Sequence, residues 1–174
     1  MKRILIAVLS SLLVVGVVAT PALAGPPKVV TVDWHEDGVR YSFNGSVQDS
    51  WTSSNLGQVD FLQTGQTYHV VNLTQMYSIS VPDVKGSLII NAAGKLSAET
   101  TYTSPTKLLL IRDRIKGEVT IDPQAGTVNG TYIQYRQCFG SQAEVLAAFP
   151  YAIPEKSPKA KGWWFIDYTC YTVY

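Results

Sequence analysis

Residues 85–91 read KGSLIIN and residues 116–122 read KGEVTID, and this recurrence decides the fold class of the chain. Each copy runs on through a turn, Ala92-Ala93-Gly94 or Pro123-Gln124-Ala125-Gly126, into a second β-rich run. Because alternate residues of a strand face opposite sides, the second, fourth and sixth residues of each copy share one largely apolar face. Each copy therefore predicts a β-hairpin with one buried face and one face toward water.

The rest of the chain carries similar signals. Short runs rich in β-formers alternate with Gly, Pro, Asn and Asp at intervals of about 8 to 12 residues, the spacing of a β-sandwich or barrel. The turn formers Asp37-Gly38 and Asn44-Gly45 follow the first two runs. We predict an all-β antiparallel meander of about eight to ten strands that forms a barrel or a sandwich. The predicted strands outside the repeated hairpins are Lys28 to Trp34, Val39 to Phe43, Val59 to Gln63, Thr67 to Leu73, Gln75 to Val81, Lys107 to Ile115 and Trp163 to Tyr174.

One short helix is predicted near the C-terminus. Ser141 and Glu144 have the spacing of a capping box, which opens the run from Val145 to Phe149, and Pro150 stops it. The prolines and lysines of residues 151–162 predict an extended loop before the terminal strand.

The N-terminal residues show the three regions of a secretory signal peptide in order. Lys2 and Arg3 precede an apolar run from Ile4 to Ala19, and Pro21 leads into the small-residue cleavage site Ala22-Leu23-Ala24. We predict a signal peptide at 1–24 and a single secreted or cell-surface β domain at 25–174, without a transmembrane helix. Cleavage changes the formal net charge from +1 to −1, because Lys2 and Arg3 leave and every acid stays. This balance argues against nucleic acid as a partner.

Both cysteines of the chain, Cys138 and Cys170, lie in the predicted mature domain. Export brings them into an oxidising compartment, where two thiols of a small secreted domain commonly pair. We therefore expect a Cys138–Cys170 disulfide that ties the terminal strand to the end of the preceding one.

No strong catalytic motif is present in the sequence. The chain has two histidines, His35 and His69, and lacks a nucleophile elbow or a phosphate-binding glycine loop. The cluster at 34–37, Trp-His-Glu-Asp, is interpreted as a solvated hairpin tip rather than a surface metal site. We assign no catalytic residue, cofactor or metal ligand. A carboxylate pair for glycoside hydrolysis stays open, and its candidates are Asp113, Glu99, Glu118 and Asp167.

The run from Lys107 to Ile115 places charges on both of its faces. Asp113 falls in register with Leu109, Ile111 and Ile115. A carboxylate among aliphatic side chains would suit a ligand anchor, but a bulge or strand end that returns Asp113 to solvent is the favoured interpretation.

Aromatic residues concentrate in the terminal strand. Neighbours in Trp163-Trp164-Phe165 alternate faces, so an aromatic faces outward unless the Val145 to Phe149 helix covers the second face. An aromatic surface of Trp163, Trp164, Phe165 and Tyr168 is a candidate subunit interface, sugar-stacking platform or pocket mouth.

Three asparagines fit the Asn-x-Ser/Thr pattern of N-glycosylation. They are Asn44, Asn72 and Asn129, all in the predicted mature domain. The pattern suggests an exported glycoprotein, although Asn44 is also explained by its turn.

The favoured function is a non-catalytic secreted or cell-surface β protein that acts in adhesion or extracellular assembly. Its partner would be a second copy of the chain, a cell-surface partner or a glycan. A more specific form of the assembly hypothesis is that the strand from Lys28 to Trp34 adds to the sheet edge of a neighbouring subunit. Pairing of this strand within its own sheet is the favoured role.

Three alternatives remain open. About eight strands, a late helix, a terminal strand and one expected disulfide near the end are similar in outline to lipocalins, which implies a small barrel that binds an apolar molecule. The Gly-x-Trp signature of that family is missing, since Val32 stands two positions before Trp34. A secreted carbohydrate-active enzyme is the second alternative. An outer-membrane barrel is the third, and it is disfavoured because most runs are shorter than the roughly 9 to 11 residues that such strands need.

Overall fold

The computed structural model describes residues 25–42, 44–77, 83–104, 109–150, 153–156 and 163–174. Among these residues strands dominate, and one α-helix and one 3₁₀ turn (Leu73–Met76) accompany them. The elements are β1 (Lys28–Tyr41), β2 (Val47–Thr64), β3 (Thr67–Val70), β4 (Lys85–Ile90), β5 (Lys95–Thr103), β6 (Leu110–Asp122), β7 (Thr127–Phe139), α1 (Gln142–Ala148), β8 (Glu155–Lys156) and β9 (Trp163–Val173).

The strands form a closed antiparallel barrel of eight strands, with β8 as one extra strand. The barrel order is β1-β2-β3-β4-β5-β6-β7-β9, and β9 closes the circle by pairing with β1. The predicted all-β meander with one short helix is confirmed. Of the two predicted architectures, sandwich and barrel, the structure is a barrel. The segment from Lys28 to Trp34 pairs with β2 of its own barrel, the role that the sequence favoured over donation to a neighbour.

The barrel is strongly staggered. A row of directly paired residues that starts at Gly38 of β1 crosses β9, β7, β6 and the following strands, and returns to β1 at Lys28. Such an offset makes the strands tilt against the barrel axis, which leaves room for side chains inside an eight-stranded barrel.

Several local predictions are confirmed. Asn44 and Gly45 form the turn between β1 and β2, and Gly45 has a φ of 91°. Both repeated hairpins form as β4–β5 and β6–β7. The side chain of Ser141 accepts from the Glu144 backbone N–H and the reciprocal bond is present, so the predicted capping box opens α1.

The predicted turn at Asp37-Gly38 is wrong, because β1 runs through it without a break. Gly38 is buried, and a Cβ there would overlap the ring of Trp51 on β2. The interpretation of 34–37 as a solvated hairpin tip is wrong for the same reason, since Trp34 is fully buried and Glu36 is 6% exposed.

Further strand boundaries differ from the prediction, since β2 begins at Val47 rather than Val59 and β3 ends at Val70 rather than Leu73. The run from Lys107 to Ile115 does not end before the second repeat, and Leu110–Asp122 forms one continuous β6. The predicted strand from Gln75 to Val81 begins in the 3₁₀ turn, and its residues 78–81 lie outside the described residues.

Two buried apolar clusters lie at different levels inside the barrel. The larger surrounds Trp34 and Phe61, whose rings stack with centroids 6.2 Å apart. The smaller contains Leu109, Ile111 and the fully buried Val145 of α1. α1 therefore packs on inward-facing side chains at one end of the barrel and does not cover the outer face of the sheet.

The expected disulfide is absent, because Cys138 and Cys170 are not bonded to each other. Cys138 is fully buried on β7 and pairs in register with Trp164, whereas Cys170 on β9 pairs with Ile133. The two sites are thus five register positions apart along β7, roughly 17 Å at the usual rise of a strand, and a disulfide spans about 6 Å between Cα atoms.

No helix among the described residues combines the length and the apolarity needed to cross a membrane.

Candidate functional site

A layer of polar side chains lies between the two apolar clusters inside the barrel. At its centre, Asp113 of β6 is fully buried. It accepts hydrogen bonds from Tyr102 Oη at 3.1 Å, Gln134 Nε2 at 2.6 Å, and Arg136 Nε and Nη2 at 3.0 Å each. The expectation that a bulge returns Asp113 to solvent is therefore wrong, because β5 and β7 supply the donors that a buried carboxylate requires.

A second buried carboxylate, Glu36, lies next to this layer, among side chains of the larger apolar cluster. Glu36 accepts from Trp34 Nε1 at 3.2 Å and from Tyr132 Oη at 2.7 Å. Burial raises the pKa of Glu36 above its ordinary value, and the two hydrogen bonds oppose that rise. Tyr171 stacks on Tyr132 at 4.4 Å and donates to Gln134 Oε1 at 3.0 Å, so one network links Glu36 to the Asp113 layer.

These packed side chains occupy the barrel interior. The polar layer satisfies its own donors and acceptors, and the clusters above and below it are apolar. The lipocalin-like alternative stays untested, and the packing of the described residues offers it no support.

The four carboxylates considered for glycoside hydrolysis do not converge in the described residues. Asp113 points inward, whereas Glu99 and Glu118 lie on the outer surface, where they pair with Arg114 and Lys95. The side chain of Asp167 lies outside the described residues, although its backbone pairs with Arg136. A carboxylate pair acting on one glycosidic bond needs both groups on the same side of the barrel wall, within roughly 9.5 Å of each other. Glu99 and Glu118 share the outer surface, but Glu99 pairs in register with Arg114, four positions from Glu118 along β6, which is roughly 13 Å at the usual rise of a strand.

The outer surface carries an aromatic row across three neighbouring strands. Tyr168 of β9 pairs in register with Tyr41 of β1 and Tyr135 of β7. The Tyr41 and Tyr168 rings are 5.1 Å apart and 12° from parallel, and Tyr135 lies 5.9 Å from Tyr168. Tyr135 is 40% exposed. We call these three residues the tyrosine row.

A groove of about 670 Å³ runs beside the tyrosine row and crosses β2, β1, β9, β7 and β6. Alternation along the strands makes its wall residues outward-facing, and inward-facing residues contribute its floor through their backbone. We call it the outer groove. Its threonine wall is the paired row Asp37, Thr172, Thr131 and Glu118, with Thr52 at its β2 end. Its apolar wall, next to the tyrosine row, is Val39, Cys170 and Ile133, with the polar Ser50 at its β2 end and Lys116 at its β6 end. Its floor is Trp51, Gly38, Tyr171, Tyr132 and Gly117.

Both carboxylates of the outer groove already have partners. Glu118 forms an ion pair with Lys95, which lowers the pKa of the Glu118 carboxyl. Asp37 accepts from Tyr174 Oη at 3.1 Å, and the Tyr174 ring stacks on His35 at 6.0 Å. Aromatic side chains therefore flank the outer groove on both sides.

Of the aromatic surface expected from the sequence, the structure describes the side chain of Tyr168 alone. Trp163, Trp164 and Phe165 are placed on β9 by their backbone pairing, and their side chains lie outside the described residues. Sequence reasoning did not join Tyr41 and Tyr135 to Tyr168. Alternation along a strand predicts which side of the sheet each tyrosine faces, but only the register between the strands places the three side by side.

The three glycosylation asparagines are exposed. The Asn44 side chain accepts from the Ser46 backbone N–H at 2.9 Å. That of Asn72 accepts from the Thr74 backbone N–H at 3.0 Å and hydroxyl at 2.7 Å. Asn129 lies on β7. Their glycosylation stays a prediction.

Within the part of the chain that the structure describes, no group of three or more His, Cys, Asp and Glu side chains is placed to hold a metal ion. The outer face of the barrel combines two features of a binding site, a row of aromatic side chains and an elongated groove.

Comparisons with protein-family models, with curated proteins and with solved structures found no match for this chain. The functional interpretation therefore rests on the geometry of the outer face.

Proposed function

We propose that residues 25–174 form a secreted or cell-surface, non-catalytic β-barrel that acts in adhesion or extracellular assembly through its outer face. The outer face consists of the tyrosine row and the outer groove. The observation that carries the proposal is the tyrosine row, a stack of aromatic side chains on the outside of a barrel whose interior is already packed.

The distribution of aromatic side chains supports an interaction surface. Tyr and Trp are enriched where proteins bind partners, because their rings bury a large area and their polar atoms keep hydrogen bonds. The side chains of Tyr41, Tyr168 and Tyr135 lie side by side and offer one continuous aromatic strip.

The buried carboxylates support a non-catalytic role. Asp113 and Glu36 are both enclosed inside the barrel, and each accepts hydrogen bonds from neighbouring side chains. Groups held in this way stabilise the barrel and are not presented to a substrate.

The test compares a variant on the outer face with a matched variant elsewhere. Tyr135→Ser removes an aromatic that is 40% exposed, and Leu146→Ser removes an apolar side chain of α1 that is 39% exposed. Self-association of residues 25–174 is measured by sedimentation velocity, and adhesion by retention of protein-coated beads on mucin, collagen and polysaccharide surfaces.

The wild-type protein is expected to self-associate or to be retained on at least one surface. Tyr135→Ser is expected to weaken that interaction about tenfold or more, as truncation of an interface tyrosine does, and Leu146→Ser to leave it unchanged. Folded wild-type protein that stays monomeric and adheres to none of the surfaces would refute the proposal. Equal losses in both variants would also refute it.

A further inference from the structure

The sheet beneath the outer groove offers no free strand edge in its central part. At the groove, β1 pairs with β2 and β9, β9 with β1 and β7, β7 with β9 and β6, and β6 with β7 and β5. A partner at these strands cannot add as a β-strand, because the backbone donors and acceptors are already used. Along these four strands, the side chains of the two walls must therefore recognise the partner, whereas β2 at Trp51 pairs with β1 alone among the described strands.

The two walls differ in chemistry. The threonine wall presents the exposed hydroxyls of Thr131 and Thr172, which both donate and accept hydrogen bonds. The apolar wall presents the half-buried side chains of Val39 and Ile133. A pyranose ring has the complementary character, since its hydroxyls project from the ring edge and its C–H groups form apolar faces.

The shape of the outer groove suits a linear molecule. It crosses five strands roughly at right angles to them, a span of about 19 Å at the usual spacing between strands. The tyrosine row borders the apolar wall on β1, β9 and β7, and Tyr174 lies beyond the threonine wall. Aromatic rings beside a polar groove are a common surface for sugar rings to contact.

The charge of the walls favours a neutral occupant. Lys116 stands on one wall and Asp37 and Glu118 on the other, and Glu118 is already paired with Lys95. Neither a polyanion nor a polycation would find a surface of one opposite sign here.

We propose that the outer groove binds a linear neutral oligosaccharide, whose ring edges contact the threonine wall and whose C–H faces contact the apolar wall. This inference rests on the proposed function, because it names the partner chemistry of the same outer face. It makes the barrel a glycan-binding adhesion module.

The test is isothermal titration calorimetry of residues 25–174 with defined hexasaccharides. The neutral probes are β-1,4-linked glucose, β-1,4-linked N-acetylglucosamine and α-1,4-linked glucose, and the anionic probe is α-1,4-linked galacturonic acid. At least one neutral hexasaccharide is expected to bind more tightly than the anionic one. The reverse order, with the anionic probe the tightest, would overturn the inference.

Two variants locate the binding in the outer groove. Thr131→Val with Thr172→Val removes both wall hydroxyls at nearly constant shape, and it is expected to weaken binding about tenfold. Thr127→Val makes the same change at an exposed position of β7 outside the groove and is expected to have no effect. Thermal unfolding of each variant establishes that it is folded.

The outcomes separate this inference from the proposed function. One outcome is that no neutral hexasaccharide binds, but Tyr135→Ser still abolishes adhesion or self-association. The oligosaccharide proposal is then refuted, and the proposal that the outer face binds a partner is kept. Binding that is unchanged in the double threonine variant also refutes the inference, because the sugar then lies elsewhere. If neither adhesion, self-association nor sugar binding occurs, both proposals fail.

Discussion

Removal of the Asp113 carboxylate is expected to destabilise the barrel by about 3 to 5 kcal/mol, the usual cost of breaking a buried ion pair. In Asp113→Ala, the Arg136 side chain is 17% exposed and keeps its charge without the carboxylate that it contacts at 3.0 Å. Tyr102 and Gln134 also lose their acceptor, and a buried donor left unsatisfied costs about 1 to 3 kcal/mol. These costs overlap, so the range for a broken pair is the expected total.

Urea unfolding followed by tryptophan fluorescence measures this loss. The matched control is Glu99→Ala, which removes a carboxylate from the outer surface whose side chain is 54% exposed and which pairs with Arg114. Exposed pairs contribute about 0 to 1 kcal/mol. Asp113→Leu combined with Arg136→Met removes both charges and is expected to recover the part of the loss that comes from the unpaired Arg136 charge. Tyr102 and Gln134 still lack their acceptor in this variant, so the recovery is expected to be partial. A loss below about 1 kcal/mol in Asp113→Ala would contradict the buried polar layer.

Three further predictions follow from the structure. Burial raises the pKa of Glu36, so the folded state binds the Glu36 proton more tightly than the unfolded chain does, and the free energy of unfolding falls as pH rises from about 4.5 through the raised pKa. Glu36→Gln is expected to flatten this fall when urea midpoints are measured across pH. Identical pH profiles for the wild type and the variant would contradict the raised pKa. Iodoacetamide is expected to label the half-buried Cys170 in the native protein, and to label the fully buried Cys138 only after unfolding. Mass spectrometry without reductant measures the labelling, and an unlabelled protein mass two hydrogens lower would reveal a disulfide and contradict this prediction. Gly117→Ala, whose Cβ would overlap β7, is expected to cost about 1 to 3 kcal/mol in thermal or urea unfolding, whereas Gly25→Ala, with no neighbour near its Cβ, is expected to cost almost nothing.

The elements with strong local signals were predictable from the sequence. The β4–β5 and β6–β7 hairpins have turn residues between alternating runs, and α1 has its capping box, so short-range chemistry specifies them. The prediction of a turn at Asp37-Gly38 was wrong because this dipeptide lies within β1, where its glycine has a packing role. Gly38 leaves space for the Trp51 ring inside the barrel, a contact between strands that no local pattern reports.

The polar residues show the same limit. Alternation correctly placed Asp113 on the aliphatic side of its strand. Whether its carboxylate could stay buried there depended on hydrogen-bond donors from β5 and β7. The expected disulfide failed for a related reason. Compartment and cysteine count predict pairing, whereas register separates Cys138 from Cys170 along the barrel.

The sequence by itself determined the all-β class, the two repeated hairpins, the helix start and the aromatic character of the terminal strand, because each depends on residues close together in the chain. Only the tertiary structure decided that the sheet closes into a barrel, that Asp113 and Glu36 are buried within it, and that Tyr41, Tyr168 and Tyr135 form one row on its outside. Those features depend on the register between strands far apart in sequence, which is set by how all eight strands pack together.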